Sequence, residues 1–222
     1  MKSRQEIKAL AKEAMREQRG TSILLVVMIL VWSVIISIVS FLLTDRAPLL
    51  SSLISFAFSF FVIVWGINTY GAFVKVYQRE QTSVGEVASN LKVNTLRKIG
   101  GTYWIALWLT LWTMLLVIPG IIKGLAYYFA PNILADRPEV TARQALKLSM
   151  RMTQGHKGRI FVFILSWIGW FILSGLTFGI LYIVYVGPYW YAADAGYYVE
   201  LRDNAIAEGR VTREELGMEE QA

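Results

Sequence analysis

Long stretches without a charged side chain dominate the pattern of hydrophobic and polar positions along this chain. No Asp, Glu, Lys, Arg or His occurs in residues 20–44, 47–74, 99–122 or 160–193. A helix that crosses a bilayer needs roughly 20 mostly apolar residues. Built as one straight helix at 1.5 Å per residue, the last stretch would extend about 50 Å, well beyond the bilayer core. Each stretch is therefore long enough for one crossing, and the longest must fold back on itself.

Short interruptions predict where the chain reverses direction. The segment "TDRAP" separates the first two stretches, "IPG" at 118–120 breaks the third, and "GLTFG" at 175–179 divides the fourth. Proline and glycine favour turns because the first cannot continue a helix and the second tolerates strained backbone. We therefore predict three hairpins with six crossings, which occupy residues 21–43 and 49–74, 101–119 and 121–136, and 159–175 and 179–200.

Positive charge predicts the orientation of these hairpins. Most of the 22 lysines and arginines lie in three segments, residues 1–19, 75–98 and 137–159, whereas the turns inside the hairpins carry few. Segments that are rich in Lys and Arg stay in the cytoplasm. All three basic segments, and both termini, are therefore predicted to be cytoplasmic.

The three basic segments also resemble one another. Each begins with a capping box, a hydroxyl residue followed three positions later by Glu or Gln, which satisfies free N–H groups at a helix start. The three boxes are Ser3/Glu6, Ser83/Glu86 and Thr141/Gln144. The second arm of each hairpin carries a Gly-x-x-x-Tyr pattern, namely Gly66/Tyr70, Gly124/Tyr128 and Gly187/Tyr191. This self-similarity indicates a threefold internal repeat.

The predicted fold is thus an all-α integral membrane protein of six transmembrane helices, arranged as three hairpins around a pseudo-threefold axis. A cytoplasmic amphipathic helix, expected to lie in the membrane interface, precedes each hairpin. These units form a single membrane domain. The boundaries are repeat 1 at 1–80 with interfacial helix 3–18, repeat 2 at 81–138 with helix 83–98, repeat 3 at 139–201 with helix 141–155, and an acidic cytoplasmic tail at 202–222.

Composition narrows the class of function. Hydrophobic residues make up 55% of the chain and charged residues only 17%, against about a quarter in soluble domains. With no cysteine and one histidine, disulfides and thiolate metal sites are excluded, and we expect no metal and no cofactor. The chain has a net charge of +6, and its basic residues lie beside apolar runs. This placement favours anionic lipid headgroups over nucleic acid as partners. No catalytic motif is found, so we expect no enzyme.

A family resemblance extends over nearly the whole chain. It is carried by "ILAD" at 133–136, "ALKLS" at 145–149, "GHKG" at 155–158, "SWIGW" at 166–170 and "GPYWYAA" at 187–193, together with the opening "MKSRQEIKALAKEAM" and the middle "IPGIIKGLAYYFAP". These segments resemble the bacterial integral-membrane family known as domain of unknown function 975, of Firmicutes type. The resemblance implies a multi-pass protein of the bacterial cytoplasmic membrane. It carries over no catalytic residues, because the family has no assigned activity.

Four polar residues inside or near the predicted crossings are candidates for an intramembrane site: Asp194, Lys123, Asn132 and Asn68. Charged groups within a membrane are costly and mark functional sites by default. Asp194 is predicted either to pair with Arg137 or Arg143 or to form a proton or cation site. Lys123 is expected to extend its side chain toward the interface, and the asparagines to bond between helices.

Two further sets of residues are candidates for binding. A basic stripe for lipid headgroups or a partner comprises Arg143, Lys147, Arg151, Lys157 and Arg159. A candidate aromatic groove comprises Trp104, Trp108, Trp112, Tyr70, Tyr128 and Tyr191, of which the tryptophans recur every four residues. Such a stripe can line a groove for an acyl chain or peptide, or can be a packing surface.

Our functional hypothesis is a non-enzymatic membrane scaffold or binding partner for lipid, acyl chain, peptide or another membrane protein, in assembly, envelope stress or immunity. Anionic headgroups at the cytoplasmic face are the expected lipid partners, and self-association into a homo-oligomer is compatible with the pattern. The alternative hypothesis is a small transporter or channel with a path between the repeats.

Overall fold

The computed structural model describes residues 2–218, except for the side chains of residues 115 and 117, and within this range the chain is helical apart from turns and connections. The α-helices, in chain order, are α1 Arg4–Glu17, α2 Arg19–Thr44, α3 Pro48–Tyr77, α4 Val84–Ser89, α5 Thr95–Leu115, α6 Val117–Tyr127, α7 Ala130–Asp136, α8 Ala142–Thr153, α9 Lys157–Leu165, α10 Ile168–Leu176 and α11 Gly187–Ala207. A π-helical turn, Tyr182–Val186, leads into α11, and a 3-10 turn forms Glu214–Leu216.

Three helical segments in the described part of the chain are long and apolar enough to cross a membrane, judged by length and composition. They are α2, α3 and the combined α9–α10 segment Lys157–Leu176. Many large apolar side chains around these helices are exposed, among them Phe41, Leu49 and Phe178, which lie at or beside the turns. Such a continuous apolar exterior is costly in water. The architecture is therefore consistent with a membrane protein.

The first hairpin is formed by α2 and α3, which are joined by the predicted turn at 45–47. Ser40 and Ser55 place their Oγ atoms 2.9 Å apart, and Ser51 donates from Oγ to the Ser40 carbonyl over 3.0 Å. Near the other end, Trp65 donates to the Leu25 carbonyl. The two helices are thus in contact along their length and run antiparallel.

The second hairpin reverses between α5 and α6. The break falls at Leu116, whose backbone is extended with φ −161° and ψ 138°, two residues before the expected "IPG", so that Pro119 lies in the first turn of α6. Gly120 packs against Thr113, where a Cβ would approach the Thr113 Cα to 2.8 Å. Gly124 contacts Leu109, one turn farther along each helix. The chain therefore folds back instead of continuing as one kinked helix.

The third hairpin pairs α9 and α10 with the π-helical turn and α11. Its turn lies in the predicted "GLTFG" segment, where Phe178 and Gly179 have positive φ of 50° and 82°. Aromatic contacts then follow the two arms away from the turn. The ring pairs are Trp170–Tyr185 at 5.7 Å, Trp167–Tyr189 at 4.9 Å and Phe163–Tyr197 at 4.8 Å.

The predicted caps form at two of the three short helices that precede the hairpins. Ser3 and Glu6 make a reciprocal capping box at α1, as do Thr141 and Gln144 at α8. At α4 the Ser83 hydroxyl accepts from the Glu86 N–H, but the Glu86 carboxylate bonds to other side chains. Each complete box stabilises the first turn of its helix, because it satisfies N–H groups that lack helical partners.

The helix predicted over 83–98 is interrupted, which corrects the sequence interpretation. Helix α4 ends at Ser89 and α5 begins at Thr95. Between them Asn94 takes a left-handed conformation with φ 52°, which Asn adopts more readily than most residues. The helical pattern is therefore split by a local turn. Helix α5 then runs from the end of the basic segment into the predicted crossing without a further break as far as Leu115.

Each short helix packs against the hairpin that precedes it, and α1 packs against the third hairpin. Lys8 on α1 donates to Ser166 Oγ over 2.8 Å. The carbonyl of Val87 on α4 accepts from Asn68 Nδ2 over 3.1 Å. Ser149 on α8 donates to the Ala126 carbonyl over 2.8 Å. The buried core lies at this end of the molecule, away from the hairpin turns.

The segment predicted as an acidic tail, 202–222, is partly helical and docked. Its first residues continue α11 as far as Ala207. Arg210 donates to carbonyls at the end of α8, including Met152 at 2.8 Å and Gln154 at 2.9 Å. Thr212 and Glu215 form a reciprocal box before the 3-10 turn. The last part of that prediction, 219–222, lies outside the described residues.

Candidate functional site

The tryptophan stripe lies beside part of the basic stripe. Trp104, Trp108 and Trp112 recur every four residues on α5 and so share one face. Opposite them, Arg143 and Lys147 lie one turn apart on α8. Together with Tyr127, Leu146 and Met150, these residues line a groove of about 200 Å³, which we call the tryptophan groove.

The sequence positions both walls of this groove. Helix α8 buries Ala145, Leu148, Ser149 and Met152 against the neighbouring helices, so its cationic residues are left at the edge. On α5, Trp104 and Trp108 remain 37% exposed and meet edge to face at 5.9 Å between ring centroids. The groove therefore combines an apolar aromatic wall with two cations at its border.

Lys123 marks the far end of the tryptophan stripe. Its ammonium lies 4.7 Å from the centroid of the Trp112 ring and 6.0 Å from that of Tyr127. A cation over an aromatic face is attracted by the ring quadrupole. The ammonium of Lys123 thus contacts aromatic rings of its own hairpin. These rings are not among the other candidate intramembrane residues.

The rest of the basic stripe is divided between three places. Arg151 pairs with Glu215 of the C-terminal segment at 2.6 Å, and this contact lowers the pKa of the Glu215 carboxyl. Lys157 begins α9. Arg159 lines a separate cavity of about 660 Å³ together with Lys2 and Arg4 at the start of α1. Only Arg143 and Lys147 of the predicted stripe therefore border the tryptophan groove.

Asp194 is buried in the middle of α11, with 1% of its surface exposed. Asn132 Nδ2 donates to its Oδ2 over 2.9 Å. Its Oδ1 is buried as well, and the Tyr128 hydroxyl lies within hydrogen-bonding range of the carboxylate. The ion pair predicted with Arg137 or Arg143 does not form, since Arg137 pairs with Asp136 at 3.0 Å and Arg143 borders the groove. Asp194 therefore has a neutral partner, Asn132, which lies 62 positions away in the sequence.

The three tyrosines of the Gly-x-x-x-Tyr pattern surround Asp194. The rings of Tyr70 and Tyr191 meet at 5.3 Å between centroids. Tyr128 directs its hydroxyl toward the carboxylate, and all three lie within electrostatic range of it. The predicted aromatic groove is therefore two separate sites, because its tyrosines surround Asp194 and its tryptophans face α8. Asn68 belongs to neither, since it donates to the Val87 carbonyl.

Sequence reasoning missed a buried ion-pair cluster at Asp136. Arg202, only 3% exposed, donates from Nη1 to Asp136 Oδ2 over 2.9 Å. Tyr198 donates its hydroxyl to the same oxygen over 2.9 Å, and Arg137 adds its Nε at 3.0 Å. Two features of the sequence could have indicated this pair: Asp136 ends the segment "ILAD", and Arg202 follows the last predicted crossing. Their separation of 66 positions hid the pairing.

The fold and the sites together define a class of protein. The described residues form an all-helical chain with three helical segments long and apolar enough to cross a membrane, and its polar clusters are enclosed between helices. The chain belongs to the family described as protein of unknown function (DUF975), whose sequence model matches residues 63–205. Asp136, Asp194, Arg202 and the tryptophan groove lie inside the matched range. No curated protein and no solved structure matches the chain.

Proposed function

We propose that the chain crosses a bacterial cytoplasmic membrane six times, as three repeated hairpins with both termini in the cytoplasm. The positive-inside distribution of Lys and Arg supports this orientation. Three antiparallel hairpins, and three short helices that each pack on the preceding hairpin in cyclic order, support the repeat. The meeting of Tyr70, Tyr128 and Tyr191 around Asp194 supports a pseudo-threefold axis at that point.

We further propose that the protein is a non-enzymatic membrane scaffold that binds an anionic lipid in the tryptophan groove. The observation that carries this proposal is the placement of Arg143 and Lys147 at the border of an apolar wall made by three tryptophans. An acyl chain that leaves the bilayer for an apolar surface gains little, because both surroundings are hydrophobic. Selectivity must then come from the headgroup, which only the two cations can supply.

The position of the groove fits a lipid better than a soluble ligand. Helix α8 belongs to a basic segment at the predicted cytoplasmic interface, where lipid phosphates lie. An arginine can hold a phosphate through two parallel hydrogen bonds, and a lysine adds a compact positive charge. Trp104 and Trp108 are partly exposed beside α8, so a lipid chain that lies along the predicted crossing can contact them. We therefore assign the headgroup to Arg143 and Lys147 and the chain to the tryptophans.

The double variant Arg143→Gln/Lys147→Gln is expected to lose bound anionic lipid. Each charge-assisted hydrogen bond contributes about 1.5–3 kcal/mol, so retention of phosphatidylglycerol should fall at least tenfold, since about 1.4 kcal/mol corresponds to a factor of ten. The measurement is native mass spectrometry of protein released from nanodiscs that contain phosphatidylglycerol and phosphatidylcholine. The wild type should retain the anionic lipid at fixed stoichiometry.

The matched control is Lys92→Gln/Arg213→Gln, which removes the same charge at two exposed positions away from the groove. It should retain phosphatidylglycerol as the wild type does. Equal loss of phosphatidylglycerol in both double variants would show that net charge, and not the groove, determines lipid retention. A peptide or second membrane protein retained in place of lipid would replace the lipid proposal by a protein partner.

A second candidate function is transport along a path between the repeats, and the burial of Asp194 among neutral hydrogen-bond partners favours it. A buried carboxylate without a cationic partner is costly unless it binds a proton or a cation. The Tyr128 hydroxyl can hydrogen-bond to either form. We therefore propose Asp194 as the proton- or cation-binding residue of such a path.

Asp194→Asn is expected to abolish flux while the protein still folds. The amide keeps an oxygen that accepts from Asn132, and it removes a charge that burial disfavours. The measurement is proton and sodium flux in proteoliposomes, with the lipid retention of the same variant as the control for folding. Wild-type protein without flux, or a variant with wild-type flux, would reject transport through Asp194.

A further inference from the structure

A polar cavity separate from the tryptophan groove lies between α3, α4, α7 and the start of α5. It has a volume of about 190 Å³. The interruption of the predicted helix 83–98 creates it, because residues 90–94 leave the helical path there. Its lining includes Asn68, Lys75, Asn90, Asn94, Arg97 and Lys98.

Two of the cations in its wall have no acidic partner. Lys98 is 6% exposed, and its ammonium donates to one neutral group, the Asn90 carbonyl, over 2.9 Å. Arg97 donates to three backbone carbonyls between Leu134 and Val140. Neither side chain forms an ion pair with any residue in the range 2–218. Glu139 attracts Arg97 from outside the lining, without ion-pair contact.

The two carboxylates in the wall are already engaged. Glu86 pairs with Lys75, and Asp136 is held by Arg202 and Arg137. These pairs neutralise Glu86, Asp136 and Lys75, which is the third cation in the lining. The positive charges of Arg97 and Lys98 are therefore left uncompensated beside the cavity. A buried ammonium has three donors, of which Lys98 uses one in a protein hydrogen bond.

The start of α5 adds to this positive potential. The 21-residue helix begins beside the cavity at Thr95, and no side chain caps its first N–H groups. Unpaired N–H groups and the helix dipole favour an anion at such an end. The amide groups of Asn90 and Asn94 supply further donors in the lining. The helix end, a buried lysine and the cavity between them thus point to the same kind of ligand.

We propose that this cavity binds a phosphate-type oxyanion, either free phosphate or the phosphate of a lipid headgroup. Lys98 supplies the charge, the first N–H groups of α5 and the asparagine amides supply neutral donors, and Arg97 shapes the wall through its carbonyl contacts. The volume admits a small group and excludes a drug-sized ligand, for which pockets of at least about 300 Å³ are usual. The site is separate from the tryptophan groove and does not depend on it.

The first test compares Lys98→Met with Lys92→Met in the full-length protein. Lys92 lies in the same segment but is exposed and does not line the cavity. Binding of radiolabelled inorganic phosphate is measured on delipidated protein in a non-ionic detergent. We expect saturable binding at one site per chain, at least ~10-fold weaker in Lys98→Met because a charge-assisted contact is lost, and unchanged in Lys92→Met.

The lipid arm of the test uses the same variants in nanodiscs with phosphatidylglycerol. Retention that depends on Lys98 but not on Arg143 and Lys147, without binding of free phosphate, assigns the site to a lipid headgroup. Binding of free phosphate that depends on Lys98 assigns it to the soluble anion. Folded Lys98→Met protein that matches the wild type in both arms overturns the proposal.

A second variant keeps the proposal testable where Lys98→Met fails to fold. Asn94→Gly removes one lining amide, and glycine readily adopts the left-handed conformation of that residue. The variant should fold and weaken anion binding several-fold. Unchanged binding of phosphate and of phosphatidylglycerol in Asn94→Gly then counts against the cavity as the site.

Discussion

Asp136→Ala is expected to lower the free energy of unfolding by about 3 kcal/mol, since removing one partner of a buried ion pair costs roughly 3–5 kcal/mol. The substitution leaves the guanidinium of Arg202, 4% exposed in its side chain, without its buried carboxylate. It also removes the acceptor of the Tyr198 hydroxyl. The lower end of the range applies because Arg202 keeps a second contact, from Nε to Asp203 at 3.0 Å.

Asp203→Ala is the matched control, because it removes a carboxylate from the same arginine at an exposed position. The Asp203 side chain is 58% exposed, and exposed ion pairs contribute about 0–1 kcal/mol. Unfolding in mixed detergent micelles, followed by tryptophan fluorescence, measures both variants against the wild type. Equal losses for Asp136→Ala and Asp203→Ala would show that burial of the pair does not control its contribution.

Gly196→Ala is expected to destabilise the protein by about 2–3 kcal/mol, because overpacking of a tight interface costs about 1–3 kcal/mol. A Cβ at this position of α11 would lie 2.3–2.9 Å from three ring atoms of Tyr77 at the end of α3. The ring cannot move aside freely, since it is half-buried and its hydroxyl contacts Glu200 at 3.4 Å. The close approach of α3 and α11 therefore requires glycine here.

Gly66→Ala on α3 is the control for Gly196→Ala. A Cβ at Gly66 would meet no atom within 4 Å, and alanine favours a helix over glycine by up to ~1 kcal/mol. Gly66→Ala should therefore be neutral or slightly stabilising in the same unfolding measurement. A second variant, Gly196→Ala with Tyr77→Leu, should recover part of the loss. Equal stability of the two single variants would contradict the packing argument.

Local features of the sequence predicted the helical elements well. The turns at 45–47 and within "GLTFG" lie where proline, glycine and short polar side chains interrupt apolar runs. The caps at Ser3 and Thr141 form because each involves residues three positions apart, which a single turn of helix brings together. Such features depend on a few neighbouring residues and can be read without the rest of the chain.

The candidate sites were predicted less completely, because each joins residues from distant parts of the chain. Asp194 was selected because apolar sequence flanks it, and the structure buries it. Its partner Asn132, however, lies 62 positions away in the sequence. The tyrosines were grouped with the tryptophans by residue type, although packing places them around Asp194. The cavity beside Lys98 depends on the interruption between α4 and α5, where the sequence predicted one continuous helix over 83–98.

By itself the sequence determined the all-helical class, the family, the hairpin turns and most helix starts, since apolar run length, turn residues and caps act over short distances. The tertiary structure alone decided which charges are paired and which are left open. It buried Asp136 against Arg202, gave Asp194 a neutral partner, and left Lys98 without an acid. The physical reason is that the cost of burying a charge depends on the groups that long-range packing places beside it.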